Sequence, residues 1–182
     1  MKLFVYREEM SSYKFKVLLT GAATVSKSRL IQKFIKNRFQ ANYKLTVGVD
    51  ILTKDVEFRQ GETATLSIWD IGNQQRFNFI RSTFYKGSAG ALLVFDLTQE
   101  QTYIKIRKWF TEIKKFTGSI PFILIGNKIH LLKMLSKAAI RKEAREFAKN
   151  ERGIYIETSP TNIDVIEEAV CKFTRTIIES RT

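Results

Sequence analysis

Short apolar runs alternate with longer amphipathic stretches along this chain, and the two periods assign most of its elements. Residues 15–20 form a near-continuous apolar run, the pattern of a strand buried on both faces of a sheet. Leu30, Ile31, Phe34 and Ile35 then fall at helical spacing and predict a helix over 27–37. Residues 38–50 are polar and poorly periodic, a loop long enough to carry function. Two strands follow at 51–58 and 64–69, and the Arg59-Gln-Gly-Glu62 turn between them predicts a hairpin. Residues 91–95, 122–126 and 154–158 read as three further strands, and 101–116 as an amphipathic helix. Ser136 is placed to cap a helix ending near Asn150, and Thr161 or Asn162 to open a last helix over 163–179. Residues 1–12 look like a lead-in, and there is no repeat, low-complexity stretch or linker.

Strands alternating with helices predict one α/β domain with a mostly parallel sheet. A chain of 182 residues, 44% of them apolar, is long enough for one sizeable core. In such sheets ligands bind beyond the carboxyl ends of the strands. The polar motifs obey this rule: residues 21–28 follow the first strand, 70–74 the third, 127–130 the fifth and 159–161 the last. The first of them, Gly21-Ala-Ala-Thr-Val-Ser-Lys27-Ser28, lies between a strand and a helix, as a phosphate-binding loop requires. There, backbone N–H groups and the helix N-terminus face phosphate oxygens, a lysine neutralises them and a hydroxyl takes Mg2+. The second glycine of the G-x-x-x-x-G-K-[ST] pattern is Ser26 here.

The net charge of +13 is uneven: residues 101–150 hold twelve Lys or Arg against three Glu. Such a surplus suits an acidic partner or an anionic membrane face, or is simply solvated helix surface. No aromatic-interleaved RNA motif or zinc spacing accompanies it, which argues against nucleic acid. The single cysteine, Cys171, fits a reducing cytosol and reads as an inert thiol on a helix. No run of apolar residues reaches the length of a membrane-spanning helix, and the N-terminus lacks a signal-peptide layout.

At this point the chain resembles a small GTPase of the Ras superfamily, most closely the Rab branch. The residues that carry the resemblance are Lys27-Ser28, the stretch from Tyr43 to Asp50, Leu66-Ser-Ile-Trp-Asp70, Gln74-Gln-Arg-Phe77, Phe84-Tyr-Lys-Gly-Ser-Ala-Gly-Ala91, Asn127-Lys128 and Glu157-Thr-Ser159. It implies the P-loop fold, a six-stranded mostly parallel sheet with one antiparallel strand and about five flanking helices. It also implies GTP or GDP as ligand, with Mg2+. Gly21, Ala22, Ala23, Thr24, Val25, Ser26, Lys27, Ser28 and Arg29 would then wrap the phosphates. Lys27 would reach the β- and γ-phosphates, Ser28 and Thr46 would ligate Mg2+, and Asp70 would hold a water on the metal. Phe39 would stack on the guanine, Tyr43 would line the nucleotide, and Asn127, Lys128, His130, Ser159, Pro160 and Thr161 would surround the base. Gln74 would orient the attacking water. The loop of Thr46 and the segment after Asp70 would be switches ordered by the γ-phosphate. Effectors or regulators would meet a surface over 46–51 and 69–85, around Ile51, Trp69 and Phe84.

Departures from the family cluster at the ligand. Ser26 puts a Cβ where backbone approaches phosphate, and Ala23 crowds the neighbourhood of the catalytic glutamine. Asn73 replaces the glycine whose N–H meets the γ-phosphate; Asn tolerates positive φ best among the alternatives. His130 replaces the carboxylate that accepts two hydrogen bonds from guanine, worth about 2–4 kcal/mol. Pro160 has no N–H to give the guanine oxygen, costing about 1–3 kcal/mol more, and Thr161 replaces a lysine. Lone histidines are more often surface residues than new ligands.

Three readings follow. One is a nucleotide-dependent switch with weakened guanine recognition and slow hydrolysis, favoured by Lys27, Ser28, Thr46, Asp70 and Gln74. The alternative is a pseudo-GTPase interaction module, favoured by Ser26, Asn73, His130 and Pro160. A third and weaker reading is an electrostatic binder using the charge of 101–150. The chain ends Glu179-Ser-Arg-Thr182 and begins Met1-Lys2, so neither prenylation nor myristoylation is signalled, and a cytoplasmic protein is expected, at most peripheral to a membrane.

Overall fold

The computed structural model describes residues 13–36, 48–72, 78–132, 138–159, 162 and 164–181. Six strands form one sheet: β1 (Tyr13–Gly21), β2 (Val49–Arg59), β3 (Glu62–Ile71), β4 (Gly90–Asp96), β5 (Phe122–Asn127) and β6 (Ile154–Glu157). Their spatial order is β2-β3-β1-β4-β5-β6. Only β2 runs antiparallel to its neighbour, β3; every other pairing is parallel. The α-helices are α1 (Lys27–Lys36), α2 (Asn78–Tyr85), α3 (Glu100–Thr117), α4 (Ala138–Asn150) and α5 (Asp164–Glu179).

The predicted architecture is therefore present; β1 to β5 run one or two residues beyond the apolar runs, whereas β6 stops at Glu157, one residue short of the expected 154–158. β2 begins at Val49, inside the stretch read as loop. Helix α2 was not located from the pattern: it is short, and β-branched and aromatic residues dilute its helical preference. Its Tyr85 is fully buried, so packing on the sheet carries it. Ser136, Thr161 and Ile163, named above at helix starts, lie outside the described residues.

The parallel strands are covered on both sides. Val17, Leu19, Val94 and Ile125 join α1 and α5 in one core, whereas Leu18, Leu93, Phe95 and Leu124 join α3 and α4 in the other. This two-sided burial is why β1, β4 and β5 read as continuous apolar runs and not as alternation. The β2–β3 hairpin closes over two residues, Arg59 pairing with Glu62, and Gly61 supplies the positive φ of 78° that the turn needs. No described helix is long and apolar enough to cross a membrane.

The order places β1 between β3 and β4, so the chain leaves β1 in one direction and later returns on its other side. The carboxyl end of β1 is thus the switch point where such sheets bind ligands. Gly21 sits there in close contact with β4: a Cβ on it would lie 2.5 Å from the Val94 carbonyl oxygen. The loop after β1 therefore starts on glycine because no side chain fits between the strands.

Candidate functional site

After Gly21 the backbone makes a 3-10 turn over Ala23–Val25, with Val25 buried and Ala23 and Thr24 exposed. Ser26 then takes a left-handed conformation, φ 58° and ψ 33°, and its carbonyl accepts the first bond of α1 from Leu30 N–H (3.0 Å). A non-glycine residue in that region costs about 1–2 kcal/mol, so the loop keeps its turn at modest strain. At the start of α1, Lys27 and Ser28 are 4% and 2% exposed beside a fully buried Asp70 from the end of β3. Lys27 Nζ lies 3.5 Å from Asp70 Oδ1, and the Ser28 hydroxyl donates to Asp70 Oδ2. Three residues from two elements thus meet in one cluster under the loop.

The carboxyl end of β5 holds this loop from the other side. Asn127 is fully buried; its Nδ2 donates to the Val25 carbonyl (2.9 Å), and its Oδ1 accepts the Lys128 N–H (2.8 Å). Lys128, at φ 66°, donates through Nζ to the Thr24 carbonyl (2.9 Å) and pairs with Asp96 Oδ2 at 2.6 Å. Asp96, at the end of β4, also accepts the Thr98 N–H (2.8 Å) and hydroxyl (2.6 Å) on Oδ1. Burial pulls the Asp96 carboxyl up, but Lys128 and Thr98 outweigh it and leave its pKa below the ordinary carboxylate value. Sequence reasoning missed Asp96; an acid ending an apolar strand at the ligand rim was the available signal.

The remaining part of the rim is built from the turns after β5 and β6. Thr158 N–H bonds the Gly126 carbonyl (2.8 Å) and Ile129 N–H bonds the Thr158 carbonyl (3.1 Å), tying the two turns together. Ser159 is buried there. His130 lies in a 3-10 turn over Ile129–Leu131 and is exposed. It lines a cleft of about 200 Å3 together with Ser26, Arg29, Asn127, Lys128 and Leu131. The structure thus brings Gly21 through Arg29, Asp70, Asn127, Lys128, His130 and Ser159 to the carboxyl ends of β1, β3, β5 and β6. Phe39, Tyr43, Thr46, Asn73, Gln74, Pro160 and Thr161 lie outside the described residues.

A profile of the Ras family matches residues 16–179. The chain belongs to the Ras family of small GTPases. It is similar to the Ras-related protein RGP2 of Oryza sativa subsp. japonica, 35% identical over 159 residues that cover 87% of this chain and 72% of that protein.

Membership makes this Ras-family chain a Ras- or Rab-like GTP-binding switch, with guanine nucleotide and effector or regulator proteins as its partners in general. Ras-family GTPases generally bind GTP or GDP with Mg2+. The residues present fit that ion. Mg2+ takes hard oxygen donors, usually one or two carboxylates besides the phosphates. The Ser28 hydroxyl and Asp70 carboxylate offer such donors side by side. Among the described residues no group of three or more His, Cys, Asp or Glu makes a rival metal site.

In this Ras-family chain β2, β3 and α2 also build a surface beside the site. Gly72 N–H bonds the Gly48 carbonyl (2.7 Å), joining the segments beside β2 and β3. Ile51, 52% exposed, pairs in register with Trp69, whose ring lies 6.4 Å from Phe84. Lys16 lies over the Trp69 ring: its Nζ sits 4.0 Å from the indole centroid and donates to the Lys86 carbonyl (2.9 Å). Burial lowers the Lys16 pKa.

Proposed function

We propose that this GTP-binding switch holds its nucleotide chiefly by the phosphates, with relaxed base choice and slow unaided hydrolysis. The observation that carries the reading is a contrast along the rim. Lys27, Ser28 and Asp70 are assembled and buried at the phosphate end, whereas the exposed imidazole of His130 stands at the base-side cleft in place of the family's carboxylate. Lys27 would swing its ammonium from Asp70 to the β- and γ-phosphate oxygens, and the N–H groups opening α1 would meet the same oxygens. Bound Mg2+ would supply charge neutralisation at the phosphates. A neutral imidazole accepts at most one hydrogen bond, so the guanine edge loses a charge-assisted pair. With Pro160 as well, base recognition falls by roughly 3–7 kcal/mol. For hydrolysis, Gln74 would orient the water, and the non-glycine residues Ala23 and Asn73 would hinder it there, so unaided turnover would be slow.

A second reading has its own support. Lys27 and Ser28 each have a protein partner in Asp70, which suits residues kept for the architecture of the loop in an interaction module. Thermal melting separates the two. A nucleotide at 100 times its dissociation constant adds about 2.7 kcal/mol, a shift of several degrees. The proposal expects a Mg2+-dependent shift with GTP, GDP and ATP. No shift with any of them would leave the interaction module as the function.

A further inference from the structure

Helices α3 and α4 leave a trough between them, on the face of the sheet opposite α1 and α5. It encloses about 650 Å3, and none of its lining residues belongs to the nucleotide rim. Binding clefts span about 300–1,000 Å3, and this volume falls within that range.

The floor is aromatic: the ring centroid of Phe147 lies 5.3 Å from that of Phe110 and 6.5 Å from that of Tyr103, both edge-on. The walls are charged, and unequally. Glu143 on α4 and Glu151 just after it are held by Arg107 and Lys114 on α3, each at 2.8 Å. Lys108 and Lys115 line the same trough with no ion pair among the described residues. The rim therefore carries positive charge in excess.

Shape decides among anionic occupants. The lining runs along α3 from Tyr103 to Lys115, about 18 Å at 1.5 Å per residue. An elongated channel between two helices has the form of a third helix and not of a compact small molecule. A bilayer offers a flat surface, which cannot reach a recessed floor between raised cations. Ile104, 39% exposed, carries the apolar path to the end of the channel.

We propose that the α3–α4 trough docks an acidic amphipathic helix of a partner protein. Apolar side chains at i, i+3 or i+4, and i+7 would lie on Phe110 and Phe147, with carboxylates reaching Lys108 and Lys115. The Arg107–Glu143 pair is exposed and the Lys114–Glu151 pair half-buried, and the two cations also lie over the Phe147 and Phe110 rings, each at 5.3 Å, so docking requires them to swing off those rings toward the ligand's carboxylates. The site is independent of the nucleotide reading, because it shares no residue with it.

The test is fluorescence anisotropy on the full chain with a labelled, acetylated peptide of roughly 16 residues, Leu at those spacings and Glu and Ala elsewhere. Saturable binding is expected, weakened at least about tenfold (about 1.4 kcal/mol) by Lys108→Glu with Lys115→Glu, and separately by Ile104→Glu. Melting temperature and nucleotide response should stay unchanged, since all three side chains are exposed. The proposal is overturned by absence of saturable binding, by equal binding of a scrambled peptide, or by indifference to the charge reversals. Displacement of the peptide by phosphatidylserine vesicles or a short DNA duplex, with tighter binding than the peptide's own, overturns it in favour of a membrane or nucleic acid.

Discussion

The side-chain amide of Asn127 donates to the backbone carbonyl of Val25, 2.9 Å away and 102 residues earlier in the chain. A residue that the family places beside the base is here also a fastening for the phosphate loop. Lys128 does the same at Thr24. Asn127 and Lys128 thus have a structural role in the loop apart from any contact with a base. This separates two properties that the motif alone conflates: a shaped phosphate loop and a guanine-selective pocket.

Asn127→Ala should strip a buried hydrogen bond and leave the Val25 carbonyl unpaired, costing about 1–3 kcal/mol in urea unfolding. Because the loop and not the base contact loosens, affinity for GTP and ATP should fall together. A selective loss of GTP would show that Asn127 reads guanine.

Ser26→Gly relieves a left-handed serine but enlarges the unfolded ensemble, so stability should rise by at most about 1 kcal/mol. The larger effect should be tighter binding of GDP, with backbone freer to approach phosphate. Calorimetric titration of both proteins checks this; unchanged affinity would mean that the Ser26 Cβ is no obstacle.

His130→Asp should restore the charge-assisted pair and raise preference for GTP over ATP by about 2–4 kcal/mol, roughly 30- to 1,000-fold. Competition binding measures the ratio. No change would place the loss of selectivity elsewhere, at Pro160 or Thr161.

Acid should undo the rim. Burial pushes the Asp96 and Glu157 carboxyls up, but hydrogen bonds and charge win: Lys128 and Thr98 at Asp96, Arg141 and Tyr155 at Glu157, leaving both pKa values lowered. A carboxylate whose folded pKa is depressed adds stability above its unfolded pKa and loses it as pH falls through the folded one. Unfolding free energy should thus drop as pH falls below about 4, and Asp96→Asn should flatten that drop while lowering stability at neutral pH. Denaturant titrations across pH give both slopes.

The strands were legible because β1, β4 and β5 are buried on both faces and must be apolar throughout. The hairpin was legible because Gly61 marks its turn. Helix α2 was not, since its formation depends on burying Tyr85 against α3 and the sheet, beside Phe116 at 6.0 Å, and not on its own periodicity. At the site, Lys27, Ser28 and Asp70 could be read from motif spacing. The Asp96–Lys128 pair and the Asn127–Val25 bond could not, because they join residues distant in the chain whose meeting depends on strand order.

Phosphate-led binding with relaxed base choice can be measured by equilibrium competition between GTP and ATP, with and without Mg2+. Mg2+-dependent binding of both nucleotides is expected, with dissociation constants within about tenfold, or about 1.4 kcal/mol, of each other. GTP binding more than about 1,000-fold tighter than ATP would contradict it, as would failure of both to bind.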